Sequence, residues 1–360
     1  MLDLYKLIRP VLWGLPAELT HALTLLILRN FPQALLSDVD RSPMLETVLW
    51  GKCFANPIGL AAGFDKNGEI IRPSFALGFG FVEVGGITLY PQEGNSKPRV
   101  FRLKSDSAII NRMGLNSHGV QAVVKNIVSL GKKNLPGPLC VNLGLNKTSN
   151  SPQADYAALA RRVAPFCDIL TINVSSPNTP GLRKLQETDA LAGIVQAVNN
   201  VSTTMSLEPR PVVLVKISPD LEIAQLQEIC KLALSMDIDG LVISNTTVER
   251  PDTLTDLQRF EIGGLSGKPL FAGSTEMLRK TYELTDGKVP LIGVGGISSS
   301  IDAYKKIKAG ASLVQLYSAL VYEGPLLVRR INNGLTDLLK QDGFSNISDA
   351  VGLDHRKVGK

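Results

Sequence analysis

Eight apolar stretches of this chain each finish in residues able to bind or to react. The first runs into Ala62-Gly63-Phe64-Asp65-Lys66, the second into Gly85-Gly86, and the third ends at Asn142. The fourth ends at Asn173-Val174-Ser175-Ser176, and the fifth carries Lys216. Ser244-Asn245-Thr246, Gly295-Gly296 and Tyr317-Ser318 close the last three. Glycine turns present backbone N–H groups to phosphate, and they do so best ahead of a helix. A carboxamide offers two donors and an acceptor. Asn111, Asn142, Asn173, Asn178 and Asn245 together suit a flat, uncharged ring of alternating C=O and N–H groups, a pyrimidine dione or the pyrimidine end of a flavin. Any one of them alone reads equally well as a turn residue.

Two segments carry charge logic. Gly293-Val294-Gly295-Gly296-Ile297 starts like a dinucleotide-type glycine motif, but Ser298 stands where its last glycine would be. It precedes a helix beginning near Ser299, and Gly267 in Gly263-Gly264-Leu265-Ser266-Gly267 could add further amides to a phosphate site. An ordinary strand-to-helix turn is the competing reading. Lys216 sits in Val212-Val213-Leu214-Val215-Lys216-Ile217. A charge on an apolar strand is costly unless it is paired. Its uses are to meet negative charge on a cofactor ring or, more plainly, to snorkel to solvent.

The elements that must position these residues alternate strand and helix. Strands are expected over 58–62, 81–87, 139–143, 169–174, 212–217, 240–244, 291–294 and 313–317. Helical patterns follow at 119–130, 154–163, 223–235, 301–309 and 325–340. Eight βα units predict a closed (β/α)₈ TIM barrel over residues 41–342, with an open doubly wound sheet as the alternative. Long connections at 88–118, 175–188 and 245–273 would all lie on the C-terminal face, where barrels build their sites.

Composition narrows the function. The formal charge is +5 over 360 residues, with no dense Lys/Arg block, which argues against nucleic acid as a partner. Cys53, Cys140, Cys167 and Cys230 form no CxxC pair and read as buried apolar residues. His21, His118 and His355 form no ligand cluster, so no metal is expected. Residues 1–40 read as two helices, 4–12 and 17–29. The second is apolar around most of its circumference, so it should face its own protein on one side and a second apolar environment on the other. It is too short to span a bilayer and is expected to lie in the interface, with Lys6, Arg9 and Arg29 toward headgroups. A dimer interface or a barrel cap is the blander reading. Residues 343–360 read as a frayed polar tail. No secretory or transit signal is visible, which favours the cytoplasmic side of a bacterial membrane.

Nearly end to end, the chain resembles the dihydroorotate dehydrogenases. The resemblance rests on Gly59-Leu60-Ala61-Ala62-Gly63-Phe64-Asp65-Lys66, Asn111-Arg112-Met113-Gly114, Asn173-Val174-Ser175-Ser176-Pro177-Asn178-Thr179-Pro180-Gly181-Leu182-Arg183, Val215-Lys216-Ile217-Ser218-Pro219-Asp220-Leu221 and Gly264-Leu265-Ser266-Gly267. Ile292-Gly293-Val294-Gly295-Gly296-Ile297 and 309–317 extend it. Ser176 at the position of the base, where soluble relatives carry Cys, and the greasy N-terminal helices resemble the quinone-using, membrane-associated class.

The resemblance implies that Ser176 takes the C5 proton of dihydroorotate and that Thr179 passes it outward. It implies substrate contacts from Lys66, Asn111, Arg112, Met113, Gly114, Leu115, Asn173, Asn178, Asn245 and Thr246. It implies one FMN held by Ala62, Gly63, Phe64, Asp65, Lys66, Gly86, Asn142, Asn173, Lys216, Ser244, Gly267, Gly295, Gly296, Tyr317 and Ser318. A quinone acceptor, peripheral attachment through residues 1–40 and a monomer follow from the class. Four positions depart from the pattern: Gly86 lacks a usual hydroxyl, Leu115 replaces Phe, Leu145 replaces Lys, and Ser244 replaces Thr.

Overall fold

The computed structural model describes residues 4–30, 42–131 and 135–356. A hairpin of β1 (Thr47–Leu49) and β2 (Lys52–Phe54) leads into the barrel. Eight parallel strands close it: β3 (Ile58–Leu60), β4 (Phe81–Ile87), β7 (Leu139–Leu143), β8 (Ile169–Asn173), β9 (Val212–Ile217), β10 (Gly240–Ile243), β12 (Leu291–Val294) and β13 (Ala311–Leu316). The last pairs with the first, Val314 opposite Ile58 and Leu316 opposite Leu60. The sequence-based strands match to within two residues. Ala62, Val174, Ser244 and Tyr317 fall just past the ladder because the chain there is already turning into the site.

Period-two alternation sorts each strand between two cores. Val82, Val84, Val141, Leu170, Ile172, Val213, Val215 and Val314 point outward into the layer shared with the helices. Phe81, Cys140, Ile169, Val212, Leu214, Val242, Ile292 and Leu313 fill the barrel interior, and Phe54 of the hairpin packs edge-on against Phe81 at 5.5 Å. The inward rows then continue as polar residues. Phe81 is followed by Glu83, Cys140 by Asn142, Leu214 by Lys216 and Leu313 by Gln315. All four are buried. The interior is therefore apolar below and polar above.

The surrounding helices are α3 (Ile71–Ala76), α4 (Val120–Leu130), α5 (Pro152–Val163), α6 (Thr188–Thr204), α7 (Ile223–Ser235), α8 (Phe271–Leu284), α9 (Ser300–Lys308) and α11 (Leu327–Asp342), with the short α10 (Ser318–Glu323) opening after β13. Two of the three long connections contain strands that the sequence pattern does not announce. β5 (Val100–Leu103), β6 (Ala108–Asn111) and β11 (Gly264–Gly267) form an antiparallel sheet over the barrel mouth. Phe101, Leu103, Ile110, Leu254 and Leu265 give it a small core of its own.

On this sheet sit α1 (Leu4–Gly14) and α2 (Ala17–Asn30). Arg102 donates to the Leu12, Trp13 and Leu15 carbonyls of their turn. Tyr5 Oη donates to Val321 O at 2.6 Å and Arg9 Nη1 to Tyr322 O at 2.7 Å, docking α1 on α10.

Two expectations are corrected. Residues 343–356 are a folded cap and not a frayed tail. Gly343, at φ 77°, ends α11; Ile347 and Ala350 are buried; and Gly352 N donates to Ile307 O at 3.1 Å. Phe344, Ile347, Ala350 and Val351 do the packing, too few apolar residues in too short a stretch to announce a folded segment. Cys53, expected to be buried, is exposed, while the other three cysteines are buried.

Candidate active site

The strand ends and the two N-terminal helices line one continuous cavity of about 530 Å³. Of the predicted site residues, Ala62, Gly63, Phe64, Lys66, Gly86, Asn111, Met113, Gly114, Leu115, Asn173, Ser176, Asn178, Lys216, Ser244, Asn245, Thr246, Gly267, Gly295, Gly296, Tyr317 and Ser318 all line it. Glu18, His21, Ile27 and Leu28 of α2, with Ile8 and Leu12 of α1, line its other end.

Four predicted residues do not reach the cavity. The Asp65 carboxylate is fully buried and accepts from Glu69 N and Ile70 N at 2.9 and 2.8 Å, so it shapes the turn after β3. Burial pushes its pKa up against those two amides. Arg112 turns outward to Glu261 at 2.7 Å and lies over Phe101. Asn142 is fully buried one layer below. Thr179 Oγ1 is buried with no hydrogen-bond partner among the described residues, so no bond joins it to Ser176.

The floor is a directed chain of amides rooted on Glu83, a residue the strand-end pattern does not single out. Glu83 Oε1 accepts from Asn142 Nδ2 at 2.8 Å and Oε2 from Gln315 Nε2 at 2.6 Å. Asn142 Oδ1 accepts from Asn173 Nδ2 at 2.9 Å. Asn173 Oδ1 accepts from Ser175 N, Ser175 Oγ and Asn245 Nδ2, and Asn245 Oδ1 accepts from Thr246 N. Both Glu83 oxygens accept, which sets the sense of the amides above it. The signal for Glu83 was the same as for Lys216: one charge inside an apolar strand, Phe81-Val82-Glu83-Val84.

Lys216 is 6% exposed and makes no hydrogen bond among the described residues. Burial holds its pKa below the ordinary lysine value, with Glu83 opposing. A buried cation lining a cavity without a bonded partner fits a ligand that carries or develops negative charge. Snorkelling to solvent is excluded by its burial.

The glycine turn at Gly295 and Gly296 fits a phosphate. Gly295 and Gly296 have φ of 114° and 76°. A Cβ on Gly296 would stand 2.6 Å from Phe271 N, so only glycine lets this turn close on the start of α8. Behind it, Lys306, also unforeseen, is fully buried. Its Nζ donates to Ser274 Oγ at 2.8 Å, and that hydroxyl reaches Gly295 O at 3.2 Å. Burial brings the Lys306 pKa down to about 7.

Ser176, mostly buried, accepts from Asn178 N at 3.3 Å. Asn178 Nδ2 donates to Asn111 O at 2.9 Å, joining the two loops that face Ser176. Arg183 ties neighbouring loops together through Ser175 O, Thr246 O and Asp220. Lys66 is held down to about 8 by burial, then by Arg99, with Glu18 opposing. His21 lies edge-on to Phe64 at 5.1 Å, and burial, then Lys66, brings it down to about 4. Leu115, in place of the larger ring, reaches toward Gly86: a Cβ on that glycine would stand 3.1 Å from Leu115 Cδ2, so the two departures occupy one space. Leu145 is buried with the apolar core. No group of His, Cys, Asp and Glu among the described residues could hold a metal ion.

Comparison with known proteins gives consistent results. Residues 44–339 match the family described as dihydroorotate dehydrogenase. A dihydroorotate dehydrogenase (quinone) of Azorhizobium caulinodans is 47% identical over 99% of this chain and 100% of its own length. The mitochondrial dihydroorotate dehydrogenase (quinone) of Mus musculus is 48% identical over 95% of this chain and 88% of its own. A crystal structure of DHODH from Eimeria tenella in complex with ferulenol superposes with a TM-score of 0.91 at 40% identity, covering 96% of this chain and 99% of that one.

Proposed function

Because this chain belongs to the dihydroorotate dehydrogenase family, in its quinone-dependent class, we propose that it oxidises dihydroorotate to orotate, with FMN as cofactor and a quinone as electron acceptor. The observation that carries this reading is the single cavity. Its floor is an amide chain beside a buried lysine, one wall is a glycine turn on a helix start, and its far end is two apolar helices.

A bound FMN, held by the glycine turns, Ser318 and Lys216, would supply the hydride acceptor and the electron route to the quinone. The chain supplies the rest. Ser176 Oγ takes the C5 proton as its own hydroxyl proton passes to a water molecule. Neutral serine is a weak base, so it depends on close placement and a dry site. The Asn178 N–H on Ser176 Oγ holds the hydroxyl in place. Lys66 holds the substrate carboxylate, and Asn111, Asn173, Asn178 and Asn245 read the ring. Gly267, Gly295 and Gly296, with Ser318, hold the cofactor phosphate. Lys216 meets negative charge arising at the cofactor ring. Residues that line the cavity only through backbone, such as Gly86, fix the distance of approach.

Residues 1–40 form the quinone entrance and the attachment to the cytoplasmic face of a bacterial membrane. No helix among the described residues is long and apolar enough to cross one. Leu7 and Val11 of α1 and Leu26 and Ile27 of α2 are more than half exposed, which suits helices lying in the interface. Arg29 is exposed and available to headgroups, whereas Arg9 is committed to Tyr322 and Trp13. The Lys6 side chain and residues 31–41 lie outside the described residues. A monomer suffices for this reading, because every residue given a role in it comes from one chain.

The test is turnover of dihydroorotate by the purified, yellow protein with a quinone, fumarate or a nicotinamide cofactor as acceptor. Quinone should support the highest rate. A colourless protein, or one that prefers either other acceptor, overturns the reading.

A further inference from the structure

We propose that Glu18, on the quinone-side helix α2, is a positioning residue of the dihydroorotate half-site, acting through Arg99 and Asn95 on the loops that hold the substrate. The proposal rests on the reading of 111–115 and 176–178 as substrate loops.

The connection is a run of hydrogen bonds. Glu18 Oε1 accepts from Arg99 Nε at 3.1 Å and from Nη2 at 2.9 Å. Arg99 Nη1 donates to Glu93 O at 2.6 Å and to Asn95 O at 2.8 Å, and the Arg99 carbonyl accepts from Arg112 N at 2.8 Å. Asn95 then bridges both substrate loops. Its Nδ2 donates to Arg112 O at 2.9 Å and to Asn178 O at 3.2 Å, and its backbone N donates to Met113 O at 3.0 Å. The fit has no slack. A Cβ on Gly94 would stand 2.2 Å from Met113 O, and one on Gly114 would stand 2.8 Å from the Asn95 side chain.

Arg99 is buried. Removing the carboxylate it pairs with leaves a buried, uncompensated guanidinium, which is far more costly than a lost surface pair. The readiest relief is for Arg99 to move toward solvent, and that takes the Glu93 and Asn95 carbonyls with it. The substrate loops lose their common tether.

The same pair acts by charge. Glu18 and Arg99 both face Lys66, one raising and one lowering its pKa, and His21 is the third titratable group against it. Lys66 must be protonated to hold a carboxylate, so affinity is present below its pKa, about 8, and is lost as pH rises through it. Without Glu18 that loss moves: to lower pH where Arg99 keeps its place, and to higher pH where Arg99 swings to solvent, because Arg99 is the larger of the two influences on Lys66.

The experiment titrates orotate against the flavin absorbance of the FMN-loaded full-length chain, from about pH 6 to about pH 9.5. Glu18→Gln should weaken orotate about tenfold near neutrality and move the alkaline loss, upward where Arg99 has swung to solvent. Glu18→Asp should keep most of the affinity. Asn95→Ala should weaken orotate without moving the alkaline loss, because it removes the tether and no charge. Glu18→Gln with an unmoved alkaline loss overturns the proposal, and so does Asn95→Ala with wild-type affinity. If Glu18→Gln fails to fold, as read from its thermal unfolding, Asn95→Ala and Glu18→Asp decide the matter. A wild-type chain that holds FMN but ignores orotate would sink the proposed function instead.

Discussion

Asn142 Nδ2 donates to Glu83 Oε1 across 2.8 Å in the sealed interior of the barrel, so one carboxylate sets the sense of the amides that face the site. Glu83→Gln makes both senses satisfiable and weakens two charge-assisted bonds, at a cost of about 3 kcal/mol. Adding Gln315→Glu places an acceptor-only group on the other side, and the new carboxamide at position 83 is then locked with its oxygen toward Asn142. The double variant should regain most of the urea-unfolding stability lost by the single one. No recovery would mean that Glu83 does not act through Gln315 and Asn142.

Ser176→Ala should keep FMN and orotate binding while dihydroorotate-driven bleaching slows by about 10²–10⁴-fold. Ser176→Cys should retain more activity than Ala and gain with pH as the thiolate forms. Near-normal bleaching in Ser176→Ala would remove Ser176 from the role of base.

Lys216→Ala should lose FMN on gel filtration and reduce the remaining flavin slowly, the loss being on the order of a few kcal/mol. Full FMN content with an unchanged reduction rate would leave Lys216 without this function.

Lys306 predicts a pH dependence of stability. Its folded pKa is about 7 against an ordinary 10.5. Between those values the unfolded chain holds the extra proton, so stability rises with pH across that window. Lys306→Met removes the slope. The variant should gain on the wild type below pH 7, on the order of 3 kcal/mol, and the gain should vanish as pH approaches the ordinary lysine value. Parallel stability curves for the two proteins would refute this.

The exposed face of α1 and α2 predicts membrane binding that point substitutions can remove. Leu7→Ser, Val11→Ser and Leu26→Ser together should cut co-sedimentation with phosphatidylglycerol-containing vesicles by at least about tenfold. Bleaching by dihydroorotate should be unaffected. Deleting residues 1–40 tests this less cleanly, because it also strips Glu18 from Arg99. Vesicle binding equal to wild type would make this face a cap or a contact between copies.

The barrel was legible because parallel strands covered on both faces read as continuous apolar runs, and because each run broke where the site begins. Lys216 stood out for the same reason. Glu83 and Lys306 did not, although Glu83 carried the same signal: their partners, Asn142, Gln315, Ser274 and Thr275, are distant in sequence and come together only on folding. The β5–β6–β11 sheet was hidden because its strands are four residues each and come from two connections more than 150 residues apart. Thr179 illustrates the reverse: its motif led to the right loop, but its hydroxyl finds no partner there among the described residues.

The docking of α1 on α10 has a consequence for the order of synthesis. Tyr5 binds the carbonyl of Val321 and Arg9 that of Tyr322, separations of 316 and 313 residues. The apolar helices leave the ribosome well before the surface that receives them. At roughly 5–20 residues per second, α1 waits between about a quarter of a minute and a minute for its seat. On the proposed membrane attachment, the nascent chain can be tethered to a bilayer before its barrel closes.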